Sequence, residues 1–405
     1  MDVKLAIDGP GKIPAFLWRL WLGFRSLSYS DPGKRDMRLD FLRGLAISAM
    51  VVDHIGGDTF LTTISGGNRW IVSAAEFFVF LSGLVLGIVY GSRMKRAGFG
   101  AATTGLLRRA LTLYQSSVGM ALGFVALFML TELRLWVDRP SGLGLSNPLD
   151  AVVGIITLHH SYHGSDVLVM YTIMLVFSPV VFLLLHQGRI WYVLGGSFAL
   201  WSLYQGFPQQ SYLPWTVTNS FFPVASWQLL LILGIVVGYY RGVVTGWLCG
   251  GGASCRLTVL TAAFALYLLV RTYQLFGDAQ LPQALFGDAT YSSLFAKEGL
   301  GPGRVLAFLC VGLLAYTVVN LLWVPLYRSL GWLMLPLGQS SLYVYVAHLY
   351  VLVVLYNMVP HLSWIPADAI NISAQTVGLG VCWLQVRYQF ASFVVPRHGP
   401  HHTVG

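Results

Sequence analysis

The residues best equipped for chemistry lie on one apolar segment near the start of the chain, Arg38-Leu-Asp40-Phe-Leu-Arg43-Gly-Leu-Ala-Ile-Ser-Ala-Met-Val-Val-Asp53-His54. In a helix, the eleven steps from Arg43 to His54 return to within about 20° of the same face, with a rise of about 16 Å. That face carries a guanidinium whose planar fork of donors suits phosphate or carboxylate. Three turns on, it carries an imidazole whose unperturbed pKa, near 6.5, suits a general base at neutral pH. On spacing alone a second reading stands beside this one: Arg43 snorkels to an interface and His54 caps the helix. Asp53 adjoins His54 in sequence but points about 100° away on a helix.

Glu76, in Ser73-Ala-Ala-Glu76-Phe-Phe-Val-Phe-Leu-Ser82-Gly83, is an acid inside the second apolar segment at a depth comparable with His54. It is read either as the group that orients or charge-balances the imidazole, as Asp53 also is, or as a structural carboxylate bonded to a neighbouring helix. Gly83 and Gly87 form a G-x-x-x-G face suited to close helix packing. Arg108 and Arg109 open the third segment beside Arg93, Lys95 and Arg96, a cluster that fits nucleotide phosphates and equally fits lipid headgroups or a topology signal. The stretch Leu158-His159-His160-Ser-Tyr162-His163-Gly-Ser-Asp166 holds three histidines and an acid, but its spacing matches no zinc motif. No metal is assigned, and His160, His163 and Asp166 are read as contacts of a polar loop facing a glycan. Asp40 and His348, the latter inside a late apolar segment, complete the set of substrate-binding candidates.

These residues matter because of the surroundings that must hold them. Of 405 residues, 56% are hydrophobic and only 10% charged, against about 25% charged in a soluble globular protein, and the mean hydropathy is +0.67. A soluble enzyme is excluded. The four cysteines, Cys249, Cys255, Cys310 and Cys382, form neither a disulfide framework nor a metal spacing. Apolar runs near the roughly 20 residues that cross a bilayer as helix recur at 39–55, 70–90, 106–130, 167–185, 191–204, 224–240, 257–275, 305–324, 341–359 and 370–393, with 151–160 a partial or re-entrant helix. The expected fold is therefore all-α: a polytopic integral membrane protein of about ten transmembrane helices in one bundle. With the N-terminus inside, the inner segments carry all of the 25 Lys and Arg except Arg69, Arg134, Arg139, Arg271, Lys297 and Arg304, which satisfies the positive-inside rule and places both termini in the cytoplasm. The bilayer, and no nucleic acid, accounts for the net charge of +9.

The first 38 residues are too basic, with too short an apolar stretch, for a cleavable signal peptide, and residues 1–34 are read as a cytoplasmic N-terminal segment. Ile13, Phe16, Leu17, Leu20 and Phe24 share one helical face, and Lys12, Arg19 and Ser26 the other, which predicts an interfacial helix on the inner leaflet. Residues 35–394 make the membrane domain and 395–405 a polar tail, to whose His398, His401 and His402 no chemistry is assigned.

Several of these blocks resemble a known family. Arg43-x10-His54, Phe77-Phe-Val-Phe-Leu-Ser-Gly83 and Leu107-Arg-Arg-Ala-Leu-Thr-Leu-Tyr114 are similar to the superfamily of membrane glycan O-acyltransferases. Within it, Arg35-Asp-Met-Arg-Leu-Asp-Phe-Leu-Arg-Gly-Leu-Ala46, the Asp53-His-Ile55 step and Ser73 to Gly83 resemble the OpgC proteins. Weaker likenesses follow at Asp166 with Tyr171, Ser226-Trp-Gln-Leu-Leu230 with Gly234, and Leu337-Gly-Gln-Ser-Ser-Leu342. The resemblance implies a bacterial cytoplasmic-membrane enzyme that transfers an acyl group, succinyl or else acetyl, from cytoplasmic acyl-CoA to a hydroxyl of an extracytoplasmic or periplasmic glucan, with no tightly bound cofactor. By the same resemblance the catalytic histidine is His54 and the matching arginine is Arg43. CoA phosphates would then dock at Arg43, Arg108 or Arg109, and Glu76 or Asp53 would support His54. The rival expectation is a transporter or flippase for a glycan or lipid intermediate, using the same buried groups as a pathway; the lack of inverted repeats or paired broken helices weighs against it.

Overall fold

The computed structural model describes residues 29, 35–66, 71–133, 148–161, 164–213, 221–244, 260, 263–264, 266–267, 292–359 and 366–390. The expected interfacial helix at 1–34, most of the span at 257–275, His163 and the C-terminal tail lie outside these residues.

Among the described residues the regular structure is helical throughout. In chain order the helices are α1 (Met37–Ile55), α2 (Phe60–Ser65), α3 (Ala74–Leu130), α4 (Pro148–Ile156), α5 (Asp166–His186), α6 (Ile190–Gly206), α7 (Val224–Tyr239), α8 (Pro302–Leu321), α9 (Trp323–Gln339), α10 (Ser341–Met358) and α11 (Ala367–Arg387). Five of them, α3, α5, α8, α10 and α11, are long and apolar enough to cross a membrane. The others are shorter or, like α1 with Arg38, Asp40, Arg43 and Asp53, more polar.

Local chemistry sets the ends. Asp36 caps α1 by accepting from the Arg38 backbone N–H at 3.1 Å, and Gly56, at φ +76°, stops it. Ser73 and Glu76 form a reciprocal capping box at the start of α3, and Pro302 occupies the first turn of α8, where its missing N–H costs nothing.

As one straight rod, the 57 residues of α3 would run about 85 Å. The helix instead breaks at Gly98, whose φ of +82° is open to glycine at little cost. Beyond it the chain turns back, and Tyr90 Oη donates to the Gly105 carbonyl at 3.1 Å. The sequence-predicted segments 70–90 and 106–130 are thus the two arms of a helical hairpin. The partial helix expected at 151–160 is α4. Two spans close earlier than expected: that at 370–393 ends at Arg387, and that at 305–324 ends at Leu321, where a helix not anticipated, α9, follows from Trp323. With Arg328, Pro325 and Pro336 in it, that stretch gives no membrane-length apolar run.

The bundle is organised by backbone-to-backbone crossings. The most extensive contact joins α3 to α7 and the next joins α1 to α9. A Cβ on Gly83 would strike the Leu231 carbonyl, one on Gly87 the Ile235 carbonyl, one on Gly234 the Phe80 carbonyl and one on Gly238 the Leu84 carbonyl. The G-x-x-x-G face on α3 therefore meets a second one on α7, and glycine on both sides is what permits the approach. At the other crossing, a Cβ on Gly44 would strike the Met334 carbonyl and one on Gly338 the Asp40 carbonyl. Between these crossings pack Phe41, Ile47, Leu106, Met170, Trp227 and Leu230, all essentially without exposure.

Gly234→Ala and Gly338→Ala are expected to destabilise the purified protein by about 1–3 kcal/mol each through overpacking. Gly195→Ala, whose Cβ would enter open space, is expected to leave the melting temperature unchanged or raise it. Thermal unfolding in detergent, followed by tryptophan fluorescence, checks the contrast.

Candidate active site

The two ends of α1 open onto different chemistry. At the Arg43 end lies a cavity of about 430 Å³ whose lining includes Arg35, Arg43, Arg109 and Arg241, with Asp36, Asp40, Phe78 and Tyr171. Two of the arginines are spoken for. Arg35 holds Asp40 through Nε at 2.6 Å and a second nitrogen at 3.0 Å, and Arg241 reaches Asp36 at 2.5 Å, which also receives Arg38 at 2.8 Å. Arg43 donates to Ser341 Oγ at the start of α10, and Arg109 is half-buried beside it. Among the described residues Arg43 Nε is buried without a hydrogen-bond partner, and the buried Tyr171 shares the cavity lining with Ser82. The cavity lining thus presents donors and positive charge, a setting for an anion.

His54, half-buried, sits at the other end of α1. Its Nδ1 lies 2.9 Å from Nε2 of His348 on α10, and the two rings stack with centroids 5.2 Å apart. His348 is 1% exposed, and its own Nδ1 lies 3.1 Å from the Val344 carbonyl. The turn beyond His54 is held from α11. Gln375, fully buried, donates to the Gly56 carbonyl at 2.7 Å and to Thr62 Oγ1 at 2.9 Å and accepts from Thr59 Oγ1 at 2.6 Å.

Of the two roles read for Glu76, the structure shows the carboxylate bonded to a neighbouring helix. Glu76, fully buried, pairs with Arg304 of α8, and its second oxygen accepts from the Ser73 backbone N–H at 2.9 Å and from Ser73 Oγ at 2.5 Å. Those bonds occupy the carboxylate, so it does not serve His54, whose Nδ1 faces His348. Asp53 accepts from Ser65 Oγ. Near both acids lies Lys297, in the loop before α8, within the fields of Glu76, Arg304, Glu298 and Asp53. Burial, the larger effect, brings its pKa below the ordinary lysine value despite the carboxylates. This loop is fixed by indole and amide donors: Trp227 Nε1 to the Glu298 carbonyl at 3.0 Å, Trp201 Nε1 to Leu300 at 2.9 Å and Gln205 Nε2 to Gly299 at 2.7 Å.

The remaining expected site residues divide between the two ends. Asp40 belongs to the cationic cavity, bound to Arg35, and is not brought together with the histidines. Arg108 is exposed and is not in the cavity lining, so of the two adjacent arginines only Arg109 joins Arg43. Asp166, buried at the first turn of α5, accepts from Ser161 Oγ. It lies in electrostatic reach of Tyr345, whose hydroxyl donates to the Gly164 carbonyl at 2.5 Å. His160 lies against Gly154 of α4. No group of three metal-ligating side chains occurs among the described residues.

An unbroken run of rings links the ends. Tyr171 meets Phe78 edge-on at 5.9 Å, Phe78 stacks with Tyr345 at 6.1 Å, and Tyr345 meets His348 edge-on at 5.5 Å. Sequence reasoning missed Arg304 as the partner of Glu76, 228 residues away, and Gln375 as the clamp on the His54 turn. Both are polar residues in or beside apolar helices, and that is the signal by which they were open to detection.

No curated protein and no solved structure matches the chain. A family model described as OpgC protein matches residues 35–391, from the arginine that precedes α1 to just beyond α11; its membership suggests an acyltransferase, and the chain belongs to the OpgC family.

Proposed function

We propose that the protein is a multi-pass O-acyltransferase of a bacterial cytoplasmic membrane that moves an acyl group from cytoplasmic acyl-CoA to a hydroxyl of a glucan on the other side. The observation that carries this reading is the division of α1. A cation-lined cavity lies at Arg43 and a paired histidine at His54, about 16 Å further along the same helix, a separation of the order of an extended pantetheine arm. Family membership supports the reaction class.

In this reading residues 35–394 form the membrane domain of about ten spans with both termini cytoplasmic, residues 1–34 precede it on the inner face and 395–405 form a polar tail. Arg43 and Arg109 hold the anionic part of the donor, and the thioester reaches the His54 end past Phe78, Tyr171 and Tyr345. His54 removes the proton from the acceptor hydroxyl as its oxygen attacks the thioester carbonyl carbon. The C–S bond breaks, an ester forms, and the proton passes from His54 to the departing thiolate. Succinyl-CoA is the donor proposed first and acetyl-CoA the alternative. The loop that leads into α5, with its histidines and with Asp166 at its end, faces the acceptor. The buried Glu76–Arg304 pair holds α3 and α8 in place around the site and takes no proton.

Two outcomes test the reading. Protein in nanodiscs, given succinyl-CoA or acetyl-CoA with a glucan, is expected to release thiol only when the acceptor is present, and His54→Ala is expected to lower that rate by roughly 10²-fold or more. Donor consumption that persists in the variant, or no acylated glucan with either donor, counts against it. Arg43→Met is expected to raise the donor KM roughly tenfold to hundredfold, as loss of a charged hydrogen bond does, while Arg108→Met leaves it unchanged. Equal effects at the two positions would remove the cavity from the donor site.

A further inference from the structure

The hydrogen bonds around the two histidines fix where their protons lie. A carbonyl oxygen only accepts, so the contact between His348 Nδ1 and the Val344 carbonyl at 3.1 Å requires the proton on that Nδ1. In the neutral ring the other nitrogen, Nε2, is then the acceptor. Across the 2.9 Å contact, His54 Nδ1 must therefore donate. The neutral His54 ring is left with its lone pair on Nε2, the nitrogen turned away from His348. A carboxylate often sets the tautomer of a catalytic imidazole; at His54 Nδ1 the partner is another imidazole, while Glu76 is bonded to Arg304 and Ser73.

Resting on the acyl-transfer reading above, we propose that His348 is the positioning residue for His54: through a one-way chain from the Val344 carbonyl it holds His54 as the Nδ1–H tautomer and so makes Nε2 the base. The burial of His348, the stacking of the rings and the edge contact of Tyr345 at 5.5 Å prevent the ring from turning over and reversing the chain. When His54 takes the hydroxyl proton on Nε2, its Nδ1–H stays on His348 Nε2, and no proton need leave the pair before Nε2 returns its own to the thiolate. His348 belongs to α10, whose first residue, Ser341, also accepts from Arg43, so one helix registers both the anion-binding and the base ends of α1.

The chain predicts an unusual pattern of substitution. A glutamine places its carbonyl oxygen near the position of histidine Nε2, whereas an asparagine reaches only the Nδ1 position. His348→Gln is expected to keep kcat within about tenfold of the wild type, and His348→Asn and His348→Leu to lower it by roughly 10²-fold or more, all three with the donor KM unchanged because the cationic cavity is untouched. A packing role alone would not separate Gln from Asn. In parallel, ¹⁵N spectra of histidine-labelled full-length protein in nanodiscs, above the pH at which the rings are charged and with His54→Ala to assign the signals, are expected to show a protonated Nδ1 and an unprotonated Nε2 on His54, reversing in His348→Leu. An unprotonated Nδ1 on wild-type His54, or a His348→Leu enzyme with full kcat, overturns the proposal. The spectra read the tautomer without any turnover. They therefore stand if the acyl-transfer reading fails, and a wild-type enzyme abolished by His54→Ala but indifferent at His348 rejects the positioning role alone.

Discussion

The crossing of α1 over α9 governs what the rest of the molecule can do. At Gly44 and Gly338 the two backbones touch with no side chain between them, and Arg43 stands immediately beside that contact. A methyl group at either glycine would push apart the pair of helices that set the depth and rotation of α1, and with them the positions of both Arg43 and His54. Because one rigid helix bears both residues, their separation is a property of helix geometry and their direction a property of this crossing. The second pair of facing glycine motifs, between α3 and α7, does the same for the helix that supplies Phe78 and Glu76.

Polar groups in such a bundle have no water to fall back on, and each must find its partner within the protein. The structure answers this requirement in two ways. Glu76 and Arg304 satisfy each other almost completely out of solvent, which makes them costly to separate: removing one member leaves an uncompensated charge. Arg43 is treated differently, with one nitrogen bonded to Ser341 and Nε left without a partner among the described residues. The contrast separates a fully paired buried charge from one whose hydrogen-bonding capacity the described residues fill only in part.

This contrast also marks how far the sequence could be read. The periodic spacing of Arg43 and His54 and the glycine pair at 83 and 87 were legible because both depend on one helix alone, and the apolar runs located most of the described helices for the same reason. Glu76 was recognised as a buried acid with two possible roles, beside His54 or bonded to a neighbouring helix, and the sequence did not choose between them, since depth along a helix says nothing of which neighbour it faces. Arg304 could supply the answer only through a contact 228 residues distant. α9 escaped notice because a short helix with two prolines and an arginine gains its place from packing against α1, not from an apolar run. His348 was seen as an inward-facing histidine, yet its relation to His54 is a fact of tertiary structure. Arg108 and Arg109 show the limit most simply: adjacent in sequence, they lie on different sides of their helix, one exposed and one facing the cavity.

The contact between His54 and His348 joins residues 294 positions apart, and Gln375, which holds the turn after His54, comes later still. At a synthesis rate of about 5–20 residues per second, α1 waits roughly 15–60 s between its own emergence and that of the helices that complete its far end. During that interval Asp40 and Asp53 already have Arg35 and Ser65 to meet, whereas Arg43 and His54 wait for Ser341 and His348 of α10. The order of synthesis therefore completes α1 only when α10 and α11 follow, and chains truncated before α10 leave Arg43 and His54 without these two partners.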